Sequence, residues 1–115
     1  MMLLTDVVTA LGLQVLTSGV DFDREVRGGI VCDLLSIVLA KAQPQDIWIT
    51  IQRHQNIVAV AKVTSVAGVI LADGIVPEQD VIDRASEEGI PLLATKESSF
   101  VVCGKLFALV SSEEE

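Results

Sequence analysis

The amino-acid sequence predicts an α/β domain, with a mixed, largely parallel five-stranded sheet flanked by helices. Three observations lead to it. Half of the 115 residues are hydrophobic, yet there is no Tyr, one Trp and three Phe, so aliphatic side chains must build the core. Cores of that kind suit parallel strands buried on both faces. From Asp46 onward, short apolar runs such as Ile47–Ile51 and Val66–Leu71 alternate with stretches of helical character, the pattern of strand–helix–strand crossovers. The chain is also long enough for one core of ordinary size, and no repeat or linker divides it. Residues 1–110 are read as one domain and 111–115 as an acidic, disordered tail.

Residues 3–11 form a first helix, with Leu4, Val7, Val8 and Leu11 on one stripe and Gly12 as its stop. Leu13–Thr17 alternates as a strand, and Ser18-Gly19 with Asp21-Phe22-Asp23 makes a loop. Glu25–Cys32 is a second strand carrying Gly28 and Gly29. Glycine inside a strand marks a bulge or a close packing contact. A phosphate loop is the competing reading, but neither G-x-x-x-x-G-K-[ST] nor G-x-G-x-x-G occurs. Asp33 then caps a helix over Leu34–Ala42, or stands as a functional carboxylate at a strand end. Pro44 closes that segment.

Asp46–Ile51 is the third strand. Residues 54–64 are rich in β-branched side chains, and we read them as a buried helix because parallel neighbours need a crossover. Val66–Leu71 is the fourth strand, ending at Ala72-Asp73-Gly74. Pro77 opens the next helix, Glu78 and Asp80 load its positive end, Val81, Ile82 and Ala85 face inward, and Gly89 ends it. Asp80, Arg84 and Glu88 are spaced for pairing along its wet face. Ile90–Ala94 is the fifth strand. Ser98 or Ser99 caps a last helix over Phe100–Val110, with Phe100, Cys103 and Phe107 on one face, widened by Val102, Leu106 and Leu109. A hairpin turning at Gly104-Lys105 is the alternative.

Charge and cysteine content exclude several functions. Eight Lys and Arg against 16 Asp and Glu give a net charge of −8, with no basic cluster. Nucleic acid and anionic membrane surfaces, which need such clusters, are excluded as partners. No apolar run reaches the roughly 18 residues that span a bilayer, and the first residues lack a basic leader, so the expected location is the cytoplasm. Cys32 and Cys103 lie in apolar segments and form no C-x-x-C pair. With one His they cannot furnish an iron–sulfur cluster or a structural zinc, so no cofactor or metal is expected. Buried thiols of this kind act as small hydrophobes.

Any site belongs at the crest where the third strand meets the following helix. Thr50 ends the strand, and Arg53, the lone His54 and Asn56 follow it; Asp73 and Gly74 end the neighbouring strand. Arg binds anions in a fork, and helix N-termini favour negative charge, so these six residues are candidates for holding a small anionic ligand. Arg53 is equally suited to pair with Asp46, Asp73 or a partner chain. His54 is the one side chain of ordinary general-base type, but no G-x-S-x-G, H-E-x-x-H or second His accompanies it. An exposed or locally bonded His is the simpler reading, and no catalytic residue is assigned. Surplus apolar surface, above all over Phe100–Val110, points to a homodimer.

Across nearly its whole length the chain resembles the DRTGG domain family. The resemblance rests on Val26-Arg27-Gly28-Gly29 before Asp33-Leu34-Leu35-Ser36, on Asp46–Thr50, and on Arg53 with Asn56-Ile57. Ala67–Leu71 through Gly74, then Glu88–Leu93 with Thr95, complete it. The naming motif is not intact. At Gln52–Asn56 only the Arg agrees, and Asp23-Arg24 with Gly28-Gly29 lacks the Thr and holds two extra residues. The resemblance implies a fold similar to the N-terminal domain of the HPr kinase/phosphorylase. It also implies a regulatory module that occurs beside phosphate acetyltransferases or between CBS domains of pyrophosphatases and mediates dimer contacts. The Arg-His-x-Asn variety is similar to small proteins encoded near iron-only hydrogenase components. The residues themselves argue against a cluster or a kinase. The expected function is therefore a non-catalytic regulatory or assembly module that homodimerises and contacts a partner protein. The alternative is a small phosphate-ligand receptor or enzyme using Arg53, His54 and Asn56.

Overall fold

A computed structural model of the chain describes residues 1–113; Glu114 and Glu115 lie outside the described residues. In order the elements are α1 (Leu4–Leu11), β1 (Gln14–Val15), β2 (Gly28–Val31), α2 (Leu35–Lys41) and β3 (Asp46–Thr50). They continue with α3 (Asn56–Thr64), β4 (Gly68–Leu71), α4 (Gln79–Glu87), β5 (Leu92–Ala94) and α5 (Ser99–Glu113). The strands form one five-stranded sheet in the order β1-β5-β4-β3-β2. β2, β3, β4 and β5 run parallel, and β1 lies antiparallel on β5. This is the mixed, largely parallel sheet that the sequence predicts.

Strand alternation divides the core in two. β3 sends Ile47 and Ile49 to the face covered by α1 and α5, and Trp48 to the face covered by α2, α3 and α4. β4 does the same with Ile70 against Val69 and Leu71. Burying each such aliphatic side chain contributes about 1.5–3 kcal/mol, which explains how a sheet almost without aromatics holds together. Trp48, fully buried, donates its indole N–H to Cys32 O at 2.8 Å and so fastens the end of β2 to β3.

Local sequence sets the boundaries. Gly12 ends α1 in the left-handed region at φ 62. Gly28 and Gly29 mark close packing: a Cβ at Gly28 would lie 2.9 Å from Asp46 Oδ1, and one at Gly29 3.0 Å from Leu106 Cδ2 of α5. Five details differ from the sequence reading. Leu34, not Asp33, is the N-cap of α2, because the Asp33 carboxylate is engaged elsewhere. α3 begins at Asn56 rather than His54, and Glu78 is the N-cap of α4, so Pro77 stands before the helix rather than at its first position. In α5 the inward face is Val102 and Leu106, whereas Phe100 and Phe107 stand 87% and 73% exposed. Residues 100–110 are helical, and the helix continues through Ser111 and Ser112 to Glu113, where a disordered tail is expected from sequence. Among the described residues, no helix is long and apolar enough to cross a membrane.

Candidate functional site

The carboxyl ends of the four parallel strands share one rim of the sheet, and the rim is held by an unforeseen knot. Asp33, just past β2, accepts the Thr50 hydroxyl at 2.7 Å and the Ile51 N–H at 3.0 Å through Oδ1. Its carbonyl accepts the Gln52 side-chain amide at 2.9 Å, and Thr50 Oγ1 accepts the Gln52 N–H at 3.1 Å. A carboxylate accepting two donors outcompetes helix capping, since bonds to ionised groups are about twice as strong as neutral ones. Thr50, a candidate ligand-binding residue, is therefore buried and committed to the scaffold.

The chain then emerges. Arg53, His54 and Asn56 are exposed, and among the described residues their side chains make no hydrogen bond or ion pair. Arg53 is thus joined to neither Asp46 nor Asp73; Asp46 Oδ2 instead accepts the Gln43 N–H at 2.9 Å. Gln55 ties the start of α3 to α4 through Asp80 Oδ2 at 2.6 Å. The first-turn amides of α3 are partly taken by the chain itself, Ile57 N–H by His54 O at 3.1 Å and Val58 N–H by Gln55 O at 3.0 Å.

Asp73 and Gly74 form a separate part of the rim. Both adopt left-handed backbone, at φ 60 and φ 70. Their amides are held by the segment after β5: Asp73 N–H by Glu97 O at 2.8 Å, and Gly74 N–H by Thr95 O at 3.0 Å. Gly74 borders a cavity of about 420 Å³ shared with Gly12, Gln14, Thr95, Lys96 and Glu97, on the α1 side of the sheet. Lys105 pairs with Glu97 Oε1 at 2.6 Å, and Glu97 Oε2 is buried without a partner among the described residues. The six candidate residues thus divide into a committed Thr50, an exposed trio at the head of α3, and a turn against another cavity. No hydrogen bond joins the trio to that turn among the described residues.

A second concavity lies at the far edge of the sheet. It has a volume of about 260 Å³ and is lined by Arg27–Val31 of the β2 edge and by Cys103, Leu106 and Phe107 of α5. In the sequence the Gly-Gly pair and the apolar last helix stand far apart, and no local pattern joins them. The signal was Gly29, whose missing side chain admits Leu106. The described residues hold no group of three or more His, Cys, Asp and Glu able to bind a metal ion.

Residues 6–109 match the family model of the DRTGG domain. The chain belongs to the DRTGG domain family. Its fold is also similar to part of a solved structure, that of the CBS and DRTGG domains of the regulatory region of Clostridium perfringens pyrophosphatase complexed with the activator diadenosine tetraphosphate. The two agree with a TM-score of 0.69 at 19% identity, over 95% of this chain and 48% of that one. This DRTGG chain therefore spans about half the length of that regulatory region. No curated protein matches it in sequence.

Proposed function

We propose that this DRTGG domain is a non-catalytic regulatory and assembly module of the cytoplasm that homodimerises and contacts a partner protein. The observation that carries the reading is apolar surface left without cover. Phe107 and Val31, 73% and 46% exposed, stand beside the open β2 edge, and Phe100 is 87% exposed further along α5. Soluble monomers rarely leave large apolar side chains grouped in this way. Membership of a family found within a regulatory region supports the same reading. The partner that the family resemblance suggests is a hydrogenase-associated protein.

A second reading has its own support. Among the described residues Arg53 is unpaired, on an exposed rim of a chain with net charge −8, and such a guanidinium suits a small phosphorylated ligand. His54 and Asn56 flank it, and Asp73 and Gly74 close the neighbouring strand end. In this reading the rim senses an anion and the module transmits it.

Light scattering from about 100 to about 1 μM tests the assembly reading, because a dimer dissociates by mass action only when diluted below its Kd. A dimer is expected. A monomer throughout, with no partner captured, contradicts it. Thermal shift with inorganic phosphate and diadenosine tetraphosphate tests the anion reading. A rise in Tm that is lost in Arg53→Ala and His54→Ala supports it, and no rise with either compound removes it.

A further inference from the structure

We propose that two copies of the chain join along β2, antiparallel, about a two-fold axis through Ile30, to make one continuous ten-stranded sheet. This rests on the homodimer reading and adds the seam and the register.

The backbone selects the seam. Cys32 N–H donates to Ile49 O at 3.2 Å, and Ile30 faces Trp48 in the parallel register. In such a ladder alternate residues turn both backbone groups to the same neighbour. Ile30 and Cys32 therefore bond to β3, while Gly29 and Val31 direct their N–H and C=O groups away from the sheet. β2 is the last strand in the order. An uncharged, open edge of this kind is a template for another strand.

The side chains select the occupant and the register. An antiparallel pair can use the outward groups of Gly29 and Val31 only if these residues face each other or themselves. The pairing with Ile30 on the axis sets each Gly29 against the partner's Val31 twice over, forming four hydrogen bonds. It also places Gly28 against Cys32, so Val31 and Cys32 each meet a glycine while Ile30 meets its own copy on the axis. Arg27 then comes level with Asp33 of the other copy. Among the described residues Arg27 pairs only with Glu25, at 3.3 Å. Between Arg27 and Asp33 the edge carries no charge, so two copies of an acidic chain meet where like-charge repulsion is least. The groove between β2 and α5, with its exposed Phe107, runs along this seam and is covered when the second copy binds.

The register has a direct test. Ile30 is a non-hydrogen-bonded pair with itself across the axis, where facing Cα atoms approach to about 4.5 Å, within disulfide range. In a Cys32→Ala, Cys103→Ala background, Ile30→Cys is oxidised with glutathione disulfide while light scattering reports the mass of the uncrosslinked parent. Near-complete covalent dimer is expected. Val31→Lys, at an exposed position on the same edge, gives a folded monomer by scattering and circular dichroism. A parent dimer that neither cross-links through residue 30 nor dissociates with Val31→Lys overturns this seam but leaves the homodimer standing. A parent that is monomeric at about 100 μM, leaving β2 to a strand of another protein, overturns both.

Discussion

The two edges of the sheet are built differently. β1 is two residues long, Gln14 and Val15, and pairs antiparallel with β5. Short edge strands are one of the ways proteins keep sheet edges from recruiting other chains. β2 has four residues, Gly-Gly-Ile-Val, with no charge and no proline, and opens beside a groove containing the exposed Phe107. One edge is blunted and the other is kept available. The difference is the ground for the proposed assembly at β2, away from the rim that holds Arg53 and His54.

That contrast can be broken first by loosening β2 itself. Trp48 is fully buried and bonds the carbonyl of Cys32 at the end of β2. Trp48→Ala is expected to cost about 3–5 kcal/mol in urea denaturation, by cavity formation, with early loss of hydrogen-exchange protection in β2. A cost below about 1 kcal/mol would mean that β2 is held by something other than this anchor. Asp33→Ala comes next. It strands the Thr50 hydroxyl and the Ile51 amide, and about 1–2 kcal/mol of stability is expected to go with them. An unchanged denaturation midpoint would show that the knot on the rim contributes no net stability.

Much of the fold was legible beforehand because periodicity and punctuation act locally. Gly12 stops α1, Gly89 follows α4, and the apolar runs at Ile47 and Val69 became central strands. What was not legible depended on partners distant in sequence. Asp33 reads as a cap from its neighbours alone, and only folding brings it to Thr50. Phe100 and Phe107 follow the helical period of a core face, but Val102 and Leu106, the latter against Gly29, are the buried side chains and both Phe are exposed. The six candidate residues lie near the carboxyl ends of β3 and β4, but they do not come together as one group. The sequence had no means of showing that Thr50 is spent on the scaffold, or that Gly74 borders a separate cavity.

The smallest expected effect lies away from both edges and serves as their control. Lys62 of α3 pairs with Glu88 at the end of α4. The hydrogen bond from Lys62, then its charge, and to a lesser degree Arg84, hold the Glu88 carboxyl below its usual range. A depressed folded value contributes stability above the ordinary carboxyl range that is lost as pH falls through the folded value. Lys62→Ala is therefore expected to lower Tm slightly at pH 7, with the gap from wild type closing below about pH 4. A gap that persists in acid would assign the effect to packing rather than to charge. Neither variant edge nor dimer mass should respond.

The most direct measurement compares the two edges in one experiment: molar mass by light scattering for the wild type, Val15→Lys and Val31→Lys at equal concentration. Both valines are similarly exposed, at 43% and 46%, so each substitution should alter monomer stability by no more than about 0.5 kcal/mol. Twice the 12.3 kDa chain mass is expected for the wild type and Val15→Lys, and a single chain mass for Val31→Lys. Equal masses for the two variants, or loss of the dimer in Val15→Lys alone, would contradict it.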